Sequence, residues 1–349
     1  MTASHPRRRF DPPPSIETAS PIELRPRGDF VEWLAGAGTL AVTTYNAGKL
    51  ALISAPDRHL VASFWKFPRP MGLAFDGCRL AVASRRHISV LRLAGESWTA
   101  SVAGGKEPSC LEVETVFSTG RLDAHDLAFD RRGLLLANTR FNCVARPSER
   151  LNFRRRWRPP FVPDVASTDC CHLNGVGVRD GRLAMVTAFC ESSQPAAWRE
   201  VDRFASGVLI DVPQNRVVAR GLCLPHSPRW HEGRWWLCNS GEGTLAAFDP
   251  QRGRCDAVIA LPGFTRGLTF AADRAVIGLS RIRRRHILDA PPVRQRFPRM
   301  RSGASLVDPR TGRETGSLEF IRGGREVFDV AVLPGACADD GVVKQANSN

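Results

Sequence analysis

Lysine is scarce in this 349-residue chain. Only Lys49, Lys66, Lys106 and Lys344 stand among its 49 basic residues, so arginine carries the net charge of +14. That skew fits a GC-rich coding sequence as well as a polyanion partner. Arginines cluster at Arg154–Arg155–Arg156–Trp157–Arg158 and Arg283–Arg284–Arg285. No nucleic-acid reader motif accompanies them, so the expectation is a solvated basic surface without specific nucleic-acid binding. Long apolar runs are also missing: nothing approaches the ~20 residues of a membrane span. The opening MTASHPRRRFDPPPSIETAS has no apolar segment of the kind a secretory signal needs. A cytoplasmic location is therefore expected, with the ten cysteines reduced and, since none has C-x-x-C spacing, no disulfide framework. A phosphate-binding glycine loop, a G-x-S-x-G elbow and an H-E-x-x-H helix are all absent. Wholesale disorder is excluded by 43% hydrophobic and 24% charged residues.

What the chain does have is a repeat. Residues 72–84 (GLAFDGCRLAVAS), 126–139 (DLAFDRRGLLLANT), 175–188 (GVGVRDGRLAMVTA), 228–240 (PRWHEGRWWLCNS) and 267–280 (GLTFAADRAVIGLS) follow one grammar. A short apolar stretch meets a turn of Asp, Gly or charged residues, and a second apolar stretch ends in a small polar residue. That is a β-hairpin with a tight turn. The hairpins recur every ~40–55 residues, the length of a four-stranded propeller blade. Further strands are expected at Ile88–Leu93, Gly207–Val212, Thr244–Asp249 and Ala304–Asp308, and one short helix at Phe30–Ala37.

The two ends complete each other. Residues 38–45 (GTLAVTTY) read as a second strand lacking a first, and residues 326–333 (EVFDVAVL) as a first strand lacking a second. Joining them makes a sixth blade and closes the ring, which removes sticky sheet edges. The expected fold is all-β, a six-bladed β-propeller closed by its C-terminal strand. It comprises a single domain over residues 28–335, a disordered basic, Pro-rich tail at 1–27 and a flexible tail at 336–349. Residues 141–170 and 282–302 read as basic, Pro-containing insertions lying over one face.

In a propeller the residues just before each innermost strand converge on the central channel. Here that window holds His125, His172 and His226 in three successive blades, with Ser227 beside His226, and Arg69 and Arg266 in the flanking blades. Three imidazoles from adjacent blades could share one divalent metal ion, zinc or iron first and copper next, with an open position for chemistry. Asp123 or Asp126 could orient His125 from behind. Channel packing against backbone carbonyls is the plain alternative for the same histidines. Arg266 faces the histidine arc and suits a carboxylate or phosphate. Tyr45, the only tyrosine, and Asp126 are candidates for acid or base; Arg140 and Arg281 rim the mouth and, with Asn174, Arg69 and Ser227 of the convergent window, are candidates to bind substrate. Ser, Thr and Asn at the ends of second strands read more simply as turn caps.

The strings TTYNAGKL (43–50), DAHDLA (123–128), CHLNG (171–175), PHSPRW (225–230), GFTRGL (263–268) and GLSR (278–281) resemble an uncharacterised bacterial family of six-bladed propellers. The resemblance runs from about residue 30 to 335. It implies a fold and a site location, not a reaction. The family tends to place an acidic residue, Asp, Arg and Cys before H-L-N-G, where this chain has Thr168-Asp169-Cys170-Cys171. Peptidyl-hydroxyglycine amidating lyases are a looser analogue: six blades with a three-histidine zinc centre, a tyrosine and an arginine, but no shared motif. Gluconolactonase-type propellers place carboxylate and asparagine ligands at the axis, unlike this chain.

Two functional expectations follow. One is a metal-dependent enzyme, a hydrolase, lyase or oxygenase, acting on a small anionic or peptide-like substrate, with the metal on His125, His172 and His226. The other is a non-catalytic binding or scaffold module that holds an acidic protein partner on the basic segments 153–158 and 281–301.

Overall fold

The computed structural model describes residues 17–93, 111–163, 167–281 and 291–334. Six antiparallel sheets stand in a ring as a six-bladed β-propeller. Blade 1 is the composite anticipated from the chain ends. Its innermost strand Val327–Leu333 pairs with Thr39–Thr44, followed by Lys49–Ser54 and Val61–Lys66. The innermost strands of blades 2 to 6 are Leu73–Phe75, Ala124–Asp130, Leu173–Arg179, Pro225–His231 and Phe264–Ala271. Each turns directly into its partner, so all five repeat hairpins are present.

Six hydrophobic cores sit between the blades, one at each interface. Between blades 1 and 2, Ala41, Leu50 and Trp65 of the first meet Leu80 and Leu91 of the second. Successive residues of a strand face opposite interfaces. Trp235 therefore packs toward blade 4 and its neighbour Trp236 toward blade 6. With both faces of a blade covered, the strand Thr39–Thr44 is buried at every position.

The helix Phe30–Ala37 forms where it was expected and inserts Phe30 and Leu34 into the core between blades 1 and 6, against Leu318 and Phe320. Two expectations are corrected. Residues 23–27 are not tail: strand Glu23–Gly28 adds a fifth strand to blade 6 by pairing with Arg313–Arg322. Backbone pairing holds it, together with Leu24, which packs against the core between blades 1 and 6; most of its residues are exposed. Residues 141–170 are not only an insertion over a face, because Cys143–Arg146 and Arg154–Trp157 are the outer half of blade 3. Residues 17–22 are not disordered tail either, since the Ala19 N–H donates to the Phe64 carbonyl and Ile22 is buried. The expected tails at 1–16 and 336–349, and residues 282–290, lie outside the described residues.

Near the axis the innermost strands approach closely. A Cβ on Gly72 would stand 2.8 Å from the Asp126 Cα, and Gly267, at φ +78°, would place one 2.7 Å from the Asp329 Cα. Only glycine fits both places. Side chains then tie one blade to the next. The Leu73 N–H donates to Asp329 (2.7 Å), the Val176 N–H to Asp126 (2.9 Å) and the Gly267 N–H to Ser227 (3.1 Å).

Candidate functional site at the channel mouth

The innermost strands of blades 3 to 6 are bulged where they begin, and the positive φ of Asp123 (52°), His172 (50°) and Ser227 (54°) falls in or beside these segments. Bulges re-aim side chains, and they gather at sites. His125 is set by its Nδ1, which lies 2.8 Å from the Asp123 carbonyl and 2.7 Å from Thr139 Oγ1. The Thr139 hydroxyl donates its own proton to the Leu173 carbonyl at 2.6 Å, so it accepts from the imidazole. His226 repeats the arrangement with the Leu224 carbonyl and Ser240 Oγ, both at 2.9 Å, and Ser240 donates to the Cys238 carbonyl. Thr139 and Ser240 each open a short 3-10 turn after the second strand of their blade. In both rings the proton sits on Nδ1, and Nε2 keeps a bare lone pair. His172 points Nδ1 at the Asp169 carboxylate (3.1 Å), which also accepts from Trp198 Nε1 at 2.9 Å.

The His125 and His172 rings meet edge to face with centroids 4.8 Å apart. His226 is separate from this pair: Phe189 packs against His172 at 4.5 Å and against His226 at 5.3 Å. Among the described residues no group of three His, Cys, Asp or Glu side chains could hold a metal ion.

Arg266 is a charged member of the mouth. Its guanidinium carbon lies 3.3 Å from the centroid of the Phe328 ring, which also contacts His125 (5.5 Å) and stacks on Tyr45 (5.6 Å). Its Nη2 is shut off from solvent and has no hydrogen-bond partner among the described residues. Burial pulls the Arg266 pKa down to about 10, against the opposing pull of Glu326 and Asp329, which leaves it charged at neutral pH. Burial, then His172 and Arg266, holds His125 well below its ordinary value; burial, then Arg266 and the other two histidines, does the same to His226. Both are neutral at pH 7.

The other expected residues divide. Asn174 is buried beside them, with Oδ1 accepting from Thr187 at 2.7 Å and Nδ2 unpartnered. Arg69 stands over the Tyr45 ring at 5.7 Å. Arg140 follows Thr139 in its 3-10 turn. Arg281 instead pairs with Glu319 of the outer strand at 2.9 Å, and Ser227 is an inter-blade tie. Asp126 is not free for acid–base work, because Arg229 and the Val176 N–H occupy both its oxygens. Phe328, Phe189 and Trp198 were missed. Phe328 precedes Asp329 as His125 precedes Asp126, and that parallel was the available signal.

Farther down the axis lies a cavity of about 390 Å³, lined by residues from all six innermost strands and bordered by Arg229. The eight described cysteines are free thiols. No helix among the described residues is long and apolar enough to cross a membrane.

No curated protein matches the chain in sequence. A chain from a crystal structure of a nidogen/laminin complex is similar in fold, with a TM-score of 0.51 and 12% identity over 86% of this chain and 99% of that one. The computationally designed Ika8 protein gives a TM-score of 0.37 and 10% identity, over 83% of this chain and 78% of that one. The family model described as a domain of unknown function, DUF4915, matches residues 28–340, and the chain belongs to that family.

Proposed function

We propose that this propeller is a binding module whose channel mouth holds a small organic anion carrying hydroxyl groups. The observation that carries the reading is the enclosed, unpartnered Nη2 of Arg266. A buried donor without an acceptor costs about 1–3 kcal/mol, and more when it is charged. A carboxylate entering the mouth would satisfy it once the side chains that cover Nη2 move aside. The bare Nε2 atoms of His125 and His226 are acceptors, so they suit hydroxyl groups on the same ligand rather than a second anion. Asn174 Nδ2 supplies one more donor. The nidogen/laminin chain supports a binding role at the level of fold only. The test is thermal shift with gluconate, glycerate and butyrate. The hydroxy acids should raise the melting temperature more than butyrate, and Arg266→Met should abolish all three shifts. Equal shifts in the variant would refute the reading.

A second reading, a divalent metal on the histidines, is favoured by one observation. All three rings are fixed through Nδ1 by an acceptor, which is how ligating histidines are oriented. It requires His226 to move toward the other two. Elemental analysis of untagged protein against His172→Ala decides it: near-stoichiometric metal lost in the variant supports a metal centre, and equal content in both rejects it.

A further inference from the structure

On the opposite side of the disc from the histidines, a groove of about 640 Å³ runs between blades 3 and 4. Arg131 and Arg132 come from the hairpin turn of blade 3, Arg156 from its outermost strand and Arg182 from the second strand of blade 4. All four are exposed, and none is in an ion pair among the described residues. The one acidic residue in the lining, Asp130, is already held by Arg146 at 2.6 Å. The floor is apolar, with Leu135, Leu183 and Trp157, whose indole N–H is fixed by Asn215 at 3.0 Å.

We propose that this groove docks an acidic peptide segment of a partner protein, one that alternates carboxylates with apolar side chains. Four unneutralised guanidinium groups give charge complementarity, and they favour planar carboxylates. The apolar floor decides between polyanions. A nucleic-acid backbone would satisfy the arginines and leave the half-buried Leu183 uncovered, whereas alternating side chains satisfy both. The proposal is independent of the channel mouth, since it uses none of its residues.

The test is fluorescence polarisation on the full chain with a labelled peptide alternating glutamate and leucine. Binding should weaken steeply with salt. It should disappear when glutamine replaces glutamate and weaken when glycine replaces leucine. The double variant Arg131→Ala/Arg182→Ala should lose about tenfold or more in affinity. The control Arg252→Ala/Arg310→Ala, on exposed turns elsewhere, should stay within about twofold. Circular dichroism verifies that both remain folded. Equal losses in the two variants, absence of binding at low salt, or tighter binding of a single-stranded oligonucleotide of equal charge would each overturn the proposal.

Discussion

Asp126 and Arg229 face each other across the channel, 103 positions apart, in a two-pronged ion pair of 2.9 and 3.0 Å. Arg229 also donates to the Leu268 and Val176 carbonyls, so a single guanidinium joins blades 3, 4, 5 and 6. Burial alone would lower its pKa, but Asp126 more than offsets that and keeps it charged. Removing one partner strands the other. Asp126→Ala should cost about 3–5 kcal/mol in urea unfolding, whereas a cost under about 1 kcal/mol would show the pair to be dispensable.

Asp329 has the reverse electrostatics. Burial first, then Asp126, raises its pKa to about 7, with Arg229 and two backbone N–H groups opposing. A raised carboxyl contributes stability that is full below the unfolded value and is lost as pH rises through 7. Asp329→Asn keeps one acceptor for Leu73 and never ionises. Its stability relative to the parent should therefore improve by about 1 kcal/mol or more between pH 5 and pH 8, measured by urea unfolding at both. A constant difference would contradict the assignment.

Binding of an anion without hydroxyl groups should take up protons. An anion beside Arg266 favours the charged forms of His125 and His226, whose pKa values are depressed in the free protein. Butyrate should therefore bind more tightly at acid pH than at neutral pH, and His226→Gln should flatten that dependence. A pH-independent affinity in the parent would count against the paired roles of Arg266 and the imidazoles.

Closure can be tested by truncation. Ending the chain at residue 326 removes the strand that pairs with Thr39–Thr44, along with Phe328 and Asp329, and should give no folded protein. Beginning it at residue 29 removes the fifth strand of blade 6 and should leave a folded, less stable ring. Similar melting temperatures for the two would contradict closure by the composite blade.

Much of this architecture was legible because hairpins announce themselves. Turns such as Asp76-Gly77 and Asp180-Gly181 separate apolar stretches of matching length, and the unmatched half-blades at residues 38–45 and 326–333 imply closure. Strand Glu23–Gly28 and strand Arg154–Trp157 escaped notice because both are largely exposed outermost strands, without apolar alternation. The site was legible as a location only. His125, His172 and His226 share a window in the repeat, but backbone bulges set their heights, and a sequence window does not register bulges. Phe328 escaped because it occupies the histidine position of the one blade built from both chain ends.

The most direct test of the channel-mouth account is isothermal titration calorimetry of gluconate into the parent chain and into Arg266→Met at pH 7. The account predicts one saturable site in the parent and none in the variant, with the variant at least as stable because it no longer buries an unpartnered charged donor. Equal affinity in both proteins would contradict it.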